Sequence, residues 1–430
     1  MNQNDRNLIA VNRLTAVVFI VLLSVLVSFG TFMAVAHFDL GIDGEERPTL
    51  DPGAPQEGNV TEASNFEALN TAYQTILANY VDPDSLTSER LVEGAIEGMV
   101  ESIEDPYSMY FDASALKEFQ EETMEGEYSG IGVSVLDVEG YVTVITVFEG
   151  VPAATTPYET AEEDDPIGLK PGDRIVEVDG VDVVGMSTEH VSELIRGPVG
   201  ESVSVTVERE VEGTYEDLVF DIQRERVEIP TVTSKVTDDA VGVLTITNFS
   251  GHTPEQVAEN LEELETKGVE GLVIDVRNNP GGTLSDCIAT AEFFLPPGDL
   301  IRIVDREGEV EIHQTRYEGY DKPMVVLINE YTASAAEILA GALRDQLEVL
   351  LIGQQTFGKG SVQRLYYLDE DRGTGMKLTT QRFLTPSGYN IEQESGLEPD
   401  HEVEWPTDGV FGDLEDDPQL QRAIEILRGQ

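Results

Sequence analysis

The sequence predicts a multidomain α/β protein, and three observations carry that expectation. At 430 residues, and roughly 150 per domain, the chain has room for about three units. Beyond about Glu225, apolar strand-like runs alternate with helical repeats, as in an α/β core. Between Gly126 and Arg224 the runs are short and β-rich, as in a small separate module. In chain order the expected organisation is a cytoplasmic tail (1–13), a transmembrane anchor (14–36), a linker (37–64), a helical N-terminal region (65–125), the β-rich module (126–224), the α/β core (225–405) and a C-terminal segment (406–430).

The anchor is expected because Leu14 to Ala36 is uncharged and mostly apolar, long enough for a bilayer-spanning helix. Arg6 and Arg13 precede it and Asp39, Asp43, Glu45 and Glu46 follow. The positive-inside tendency then puts the N-terminus in the cytoplasm and the rest outside, on a cell membrane crossed once. A competing reading is signal-peptide cleavage after Ala34-Val35-Ala36. From Asp39 to about Ser64 the chain is rich in Gly, Pro, Asp and Glu, which reads as a linker. Phe66, Leu69, Tyr73, Ile76 and Leu77, then Leu91, Ala95, Ile96, Met99, Val100 and Ile103, recur at helical spacing and predict two packed helices.

In the β-rich module, strands are expected over Ile131 to Leu136, Tyr141 to Phe148, Arg174 to Val178 and Val203 to Arg209, with a helix near Thr188 to Ile195. Tyr158 to Asp165 reads as a surface insertion. In the core the expected order is strand Val241 to Phe249, helix Pro254 to Lys267, strand Gly271 to Val276, helix Leu284 to Phe294, strand Pro323 to Ile328 and helix Ala333 to Arg344.

Composition excludes some functions. With 83 acidic against 26 basic side chains, the formal net charge is -57. Nucleic acid is not an expected partner, because phosphate binding needs basic patches. The acidity suits a solvated surface in a saline habitat. Cys287 is the one cysteine, so no intramolecular disulfide forms, and it reads as a small buried residue. There is no His-Glu-x-x-His and no cysteine pair, so neither a metal nor a cofactor is expected.

Three strand-to-helix or strand-to-strand junctions look chemically loaded. Asp275 to Thr283 runs a buried strand into the paired glycines Gly281 and Gly282, where amides can serve as oxyanion donors. Asn329 to Ile338 puts the Ser334 hydroxyl among small residues at a helix start, where a serine is ordinarily only a cap. Thr356 to Gln363 sets Lys359 between glycines ahead of a strand. A serine is nucleophilic only beside a base, and His37, His190, His252, His313 and His401 stand in no motif with Ser334. Lysine is then the candidate base. It has to be desolvated, since free lysine titrates near 10.4.

Taken together, Ser334, Lys359, Gln363 and the Gly281-Gly282 turn resemble the carboxyl-terminal processing (tail-specific) serine protease family. Asn79-Tyr80-Val81-Asp82, Asp105-Pro106-Tyr107-Ser108, Thr385-Pro386-Ser387-Gly388 and Gly396-Leu397-Glu398-Pro399-Asp400 extend the resemblance over most of the chain beyond the anchor. Gly130-Ile131-Gly132, Gly168-Leu169-Lys170-Pro171-Gly172-Asp173 and Leu194-Ile195-Arg196-Gly197 resemble a PDZ domain. The fold class expected is thus multidomain α/β: transmembrane helix, helical segment, β-rich PDZ-like module and α/β protease core. The resemblance implies a serine endopeptidase cutting protein substrates near their C-termini. Ser334 attacks, Lys359 carries the proton, and Gln363 orients the lysine. The Ala335 amide and a glycine amide from Gly281-Gly282 hold the oxyanion. Glu337 is either a partner of Lys359 or an acid favoured by the helix dipole.

It further implies that a substrate's C-terminal tail adds as a strand beside Gly132 to Leu136, its carboxylate on the amides of Gly130, Ile131 and Gly132. Arg196 is the candidate relay for gating. A homo-oligomer or a regulatory partner stays open. Two other readings compete. One is a catalytically inactive PDZ scaffold. The other is a nucleotide hydrolase, because Gly353 to Gly360 nearly spells a P-loop, but Gly360 offers no hydroxyl for magnesium and β-favouring residues follow.

Overall fold

The structure, a computed structural model, describes residues 60–429 apart from 139, 149, 162–166, 212, 370–371 and 406–415. The expected anchor at 14–36 lies outside the described residues. Among those residues no helix is long and apolar enough to cross a membrane. Among the described residues the fold class is therefore corrected to a mixed α/β protein with no transmembrane helix.

The core is built on a six-stranded sheet ordered Val232–Val236, Val241–Ile246, Gly271–Asp275, Met324–Ile328, Leu350–Gly353, His401–Glu402. Its first pair is antiparallel and the others are parallel. Gly271–Asp275 and Met324–Ile328 are buried along their whole length, the mark of parallel strands covered on both faces. Helices Thr253–Thr266, Leu284–Ala291 and Ala335–Leu347 cover one face. Pro418–Gly429 covers the other, packing Leu420, Ala423 and Ile424 on Val243, Val273 and Val325. That last helix was not expected from the sequence. It is tied to the core by Arg277, which reaches Asp275 and Asp417 at 2.7 Å each and Gln419 at 2.8 Å.

A second sheet stands against this layer. Its long strand Thr374–Leu384 pairs with Ser361–Asp369 along one edge, and with Met109–Phe111 and Gly298–Asp305 along the other. The N-terminal region thus contributes a strand to the core. Its helices form at Val60–Asn79 and Ser88–Glu101, but they are not the packed pair expected. Phe66, Leu69, Ile76, Leu77, Met99 and Ile103 are exposed, and of the predicted stripe only Val100 is buried.

The β-rich module has a sheet ordered Val133–Val138, Tyr141–Val147, Arg174–Val178, Ser202–Val211, Thr214–Gln223. The last strand, absent from the expectation, makes a hairpin with Ser202–Val211. Val133–Val138 is an edge strand, with helix Thr188–Ile195 alongside. Tyr158, expected on a surface insertion, instead packs edge-on against Phe220, centroids 6.0 Å apart. The chain enters and leaves the module through paired strands, Glu127–Gly130 with Glu225–Glu228.

Candidate active site

Gly271–Asp275, Met324–Ile328 and Leu350–Gly353 are neighbours in the parallel sheet, so their C-terminal ends lie side by side. Ligand and reaction sites of parallel sheets gather at those ends, where helix N-termini present unpaired amides. The three junctions singled out from the sequence are the loops leaving these strands. Side-chain bonds stitch two of them together: Asn329 Oδ1 accepts from the Asn278 amide at 2.9 Å, and its Nδ2 donates to Asn278 Oδ1 at 2.7 Å. The Ala333 amide donates to Asn279 O at 2.9 Å.

Ser334 immediately precedes helix Ala335–Leu347 with φ 56° and ψ -116°, a conformation that costs a non-glycine residue on the order of 1–3 kcal/mol and marks strained turns at functional sites. The turn is held by the Asn279–Ala333 bond and by Glu337, which accepts from the Ser334 amide at 2.8 Å. Ser334 is fully buried, yet its hydroxyl has no hydrogen-bond partner among the described residues. A buried hydroxyl left unpaired costs stability, which is a reason to read it as a reacting group rather than the cap its position suggests.

Gly281 and Gly282 close against this turn. Both have positive φ, 110° and 138°. A Cβ on Gly281 would fall 2.9 Å from Ser334 Cβ and 3.1 Å from the Ala335 nitrogen, and one on Gly282 would fall 2.0 Å from Phe249 O. Only glycine fits at either position. The Gly281 amide is committed to Asn279 Oδ1 at 2.8 Å. Ala335 opens the helix, where amides lack intrahelical acceptors.

Glu337 is the bracket of the site. Oε2 accepts from the amides of Ser334 (2.8 Å) and Lys359 (3.0 Å), and Oε1 from Thr356 Oγ1 (2.5 Å) and the Gly358 amide (2.9 Å). Burial pushes its carboxyl up to about 7, against those four donors. Thr356 Oγ1 itself accepts from the Leu397 amide at 2.7 Å, so its own proton must go to Glu337, which favours the ionised carboxylate. Of the two roles expected for Glu337, contact with Lys359 is made through the backbone amide.

Lys359 is 3% exposed. Desolvation lowers its pKa to about 7, although the carboxylates of Glu337 and Asp105 pull the other way. Its Nζ stands 4.6 Å from the centroid of the Tyr107 ring. Gln363 lies on Ser361–Asp369, fully buried. Its Nε2 donates to Ser361 Oγ and Thr379 Oγ1 at 3.0 Å each, and its Oε1 has no partner among the described residues. A strand rather than a helix follows Lys359, as the argument against a P-loop required.

Some neighbours of Lys359 were not found from sequence. Asp105 and Tyr107, quoted only as part of a resemblance, come from the N-terminal region. Lys377 is 1% exposed, with Nζ 3.3 Å from Met109 Sδ and about five ångströms from two rings, 5.1 Å for Phe111 and 4.8 Å for Phe119. Burial lowers its pKa to about 6. No spacing rule links these positions, because strand pairing brings them together. Cys287 is buried as expected, its thiol donating to Ala335 O at 3.1 Å.

The tail-binding candidates lie together in the β-rich module, on other elements than the three loops. Gly130, Ile131 and Gly132 lead into the edge strand Val133–Val138. The Tyr128 ring folds over Gly130, and its hydroxyl lies near the Gly132 and Val133 amides. Arg196 ends the module's helix and stands 5.6 Å from the Tyr128 ring centroid. It pairs with Glu122 at 2.5 Å and Glu118 at 3.4 Å in the N-terminal region.

Comparison with known proteins matches three family models. Residues 240–403 match peptidase family S41, 165–209 match the PDZ domain, and 27–115 match the N-terminal domain of the activating protease CtpB. The chain is 35% identical over 353 residues to the carboxy-terminal processing protease CtpA of Bacillus subtilis (strain 168), covering 82% of this chain and 72% of that protein. It is 33% identical over 342 residues to the carboxyl-terminal-processing protease of Synechocystis sp., covering 78% and 76%. Among solved structures it is similar to a photosystem II D1 C-terminal processing protease, 29% identical with a TM-score of 0.46, over 85% of this chain and 97% of that one.

Proposed function

The chain belongs to peptidase family S41, as a carboxy-terminal processing serine protease with a PDZ domain, and from that premise we propose that it cleaves with Ser334 as nucleophile and Lys359 as general base. The observation that carries the reading is the Glu337 carboxylate: one oxygen takes the amides of both Ser334 and Lys359, holding the two residues in one site. Lys359, largely deprotonated above neutral pH, accepts the Ser334 proton as Oγ bonds to the substrate carbonyl carbon. The oxyanion is held by the Ala335 amide and by Gly282, since the Gly281 amide is engaged with Asn279. The lysine ammonium returns its proton to the leaving amine, and water releases the acyl group by the same route. Gln363 orients the lysine.

The substrate's tail adds beside Val133–Val138, whose outer edge pairs with no described strand, and its carboxylate takes the amides around Gly132, beside which the Tyr128 hydroxyl lies. Residues 105–132 run continuously from the Lys359 environment, through the Glu118 and Glu122 pairs with Arg196, to this cradle. That continuity supports tail-gated catalysis with Arg196 as relay.

Ser334→Ala and Lys359→Ala should each abolish peptide cleavage while leaving tail-peptide binding unchanged, and a fluorophosphonate should label the wild type at Ser334. Turnover retained in either variant refutes the dyad. Absence of labelling together with absence of turnover in the wild type supports the inactive-scaffold reading instead. For gating, a second tail peptide should stimulate hydrolysis of a peptide lacking a free carboxylate in the wild type and not in Arg196→Ala.

A further inference from the structure

The two oxyanion donors, the Gly282 and Ala335 amides, belong to different loops, so their spacing needs a cause. Asn279 is the residue that bonds to both loops. It is fully buried, and Pro280 after it favours an extended backbone at this position. Its Oδ1 accepts from the Gly281 amide at 2.8 Å, and its Nδ2 donates to Ile246 O at 2.9 Å. Its own carbonyl accepts from the Ala333 amide at 2.9 Å, one residue before Ser334.

These partners set the direction of the Asn279 amide. A backbone N–H only donates and a carbonyl only accepts, so turning the amide over would set donor against donor at Gly281 and acceptor against acceptor at Ile246. A bond from an asparagine to the amide two residues on is an ordinary turn former. Here the Nδ2 bond adds an anchor outside the turn, at the end of strand Val241–Ile246, which lies beside Gly271–Asp275 in the sheet. The turn is fixed again at Phe249: Gly281 O accepts from the Phe249 amide at 2.9 Å, and Phe249 O accepts from the Thr283 amide at 2.8 Å. In a planar trans peptide the N–H lies opposite the carbonyl. The Gly282 amide, in the same peptide unit as Gly281 O, thus points away from Phe249, and no described residue accepts from it.

We propose that Asn279 is a positioning residue for the oxyanion hole: it engages the Gly281 amide and sets the Gly282 amide at a fixed place relative to the Ala335 amide. This rests on the reading of Ser334 as nucleophile. Negative charge grows on the substrate oxygen only as Ser334 Oγ bonds to the carbonyl carbon, so donors placed in advance favour the transition state over the bound substrate. The bond from Ala333 to Asn279 joins backbone to backbone and survives a change of side chain. Removing the Asn279 side chain therefore leaves that tie to the nucleophile's loop and loosens the Gly281-Gly282 turn.

The test compares Asn279→Ala and Asn279→Ser with the wild type, Gly268→Ala and Ser334→Ala. It measures kcat and KM on a peptide, urea unfolding, and the affinity of a peptide boronic acid, whose tetrahedral serine adduct needs the oxyanion donors. Asn279→Ala should lower kcat about 100-fold, the scale of one misplaced or lost oxyanion donor. Boronate affinity should fall with it while KM stays unchanged. Asn279→Ser keeps a weaker acceptor for the Gly281 amide and cannot reach Ile246, so kcat and boronate affinity should fall less, about 10-fold. Gly268→Ala, which loses stability away from the site, should keep both. A wild-type kcat in Asn279→Ala overturns the proposal, and so does a lower kcat with boronate affinity unchanged. If Asn279→Ala does not fold, the same two results in Asn279→Ser overturn it. With Ser334→Ala inactive, those results leave the nucleophile in place; turnover in Ser334→Ala overturns that reading and the proposal together.

Discussion

Replacing Gly281 by alanine tests the site through a single methyl group. That carbon would sit 2.9 Å from Ser334 Cβ, 3.1 Å from Ala333 O and 3.1 Å from the Ala335 nitrogen. Non-bonded carbons rest at about 3.5–4.0 Å, so the Ser334 side chain or its turn must retreat by roughly 0.6–1 Å. A displacement of about 1 Å from the attack geometry costs on the order of 100-fold in rate. The residue also has φ 110°, and forcing a side chain there costs on the order of 1–3 kcal/mol of stability. Gly268→Ala separates the two effects, because Gly268 has φ 73° with nothing within 4 Å of its Cβ position. Urea unfolding should weaken in both variants. Only Gly281→Ala should lose kcat, by about 100-fold, and only it should slow fluorophosphonate labelling. KM should change little, since the tail binds elsewhere. A Gly281→Ala enzyme with a kcat near that of Gly268→Ala would refute the placement of Ser334 against this turn.

Other perturbations address the electrostatics and the tail cradle. With Lys359 lowered to about 7, kcat/KM should rise with pH through an acid limb near that value, as the ammonium becomes a base; a profile flat down to pH values of about 5 contradicts the lysine mechanism. The same shift acts on stability. Between about 7 and the unfolded value near 10.4, the unfolded chain keeps a proton that the folded one has shed, so this group's contribution to stability rises with pH across that window. Glu337→Gln removes the carboxylate that holds the Lys359 pKa up, so the acid limb should move down by about one unit or more. An unmoved limb would confine Glu337 to bracing the loops. Tyr128→Phe removes the hydroxyl that lies beside the Gly132 and Val133 amides and competes with a carboxylate for them, and calorimetry should show a tail peptide binding several-fold tighter. Unchanged or weaker binding would mean that the tail carboxylate does not use those amides.

The alternation of apolar runs and helical repeats was enough to anticipate the α/β core, because strands such as Met324–Ile328 are buried on both faces and read as continuous apolar segments. The three junctions could be named from composition, since paired glycines, a serine among alanines and a lysine between glycines are unusual where strands end. The Gly-x-Gly turn and its flanking segments did the same for the PDZ-like module. The transmembrane helix expected at 14–36 rested on apolarity alone, and no described helix supports it. Helical periodicity in the N-terminal region foresaw helices but not packing, because a 3.6-residue stripe says that a face is apolar and not that anything covers it.

What the sequence determined by itself is local: which residues could react, which turns needed glycine and where elements begin. What only the tertiary structure decided is which distant groups share one environment. Asp105 and Tyr107 reach Lys359 because Met109–Phe111 pairs with Thr374–Leu384, and Thr379 meets Gln363 across that strand's other edge. Arg277 finds Asp417 because a C-terminal helix packs on the far face of the sheet. Strand pairing and layer packing join residues without regard to separation along the chain, so periodicity carries no record of them. The lowered pKa of Lys359 is of this kind: desolvation lowers it against the pull of two carboxylates, and burial exists only once the chain has folded around the residue.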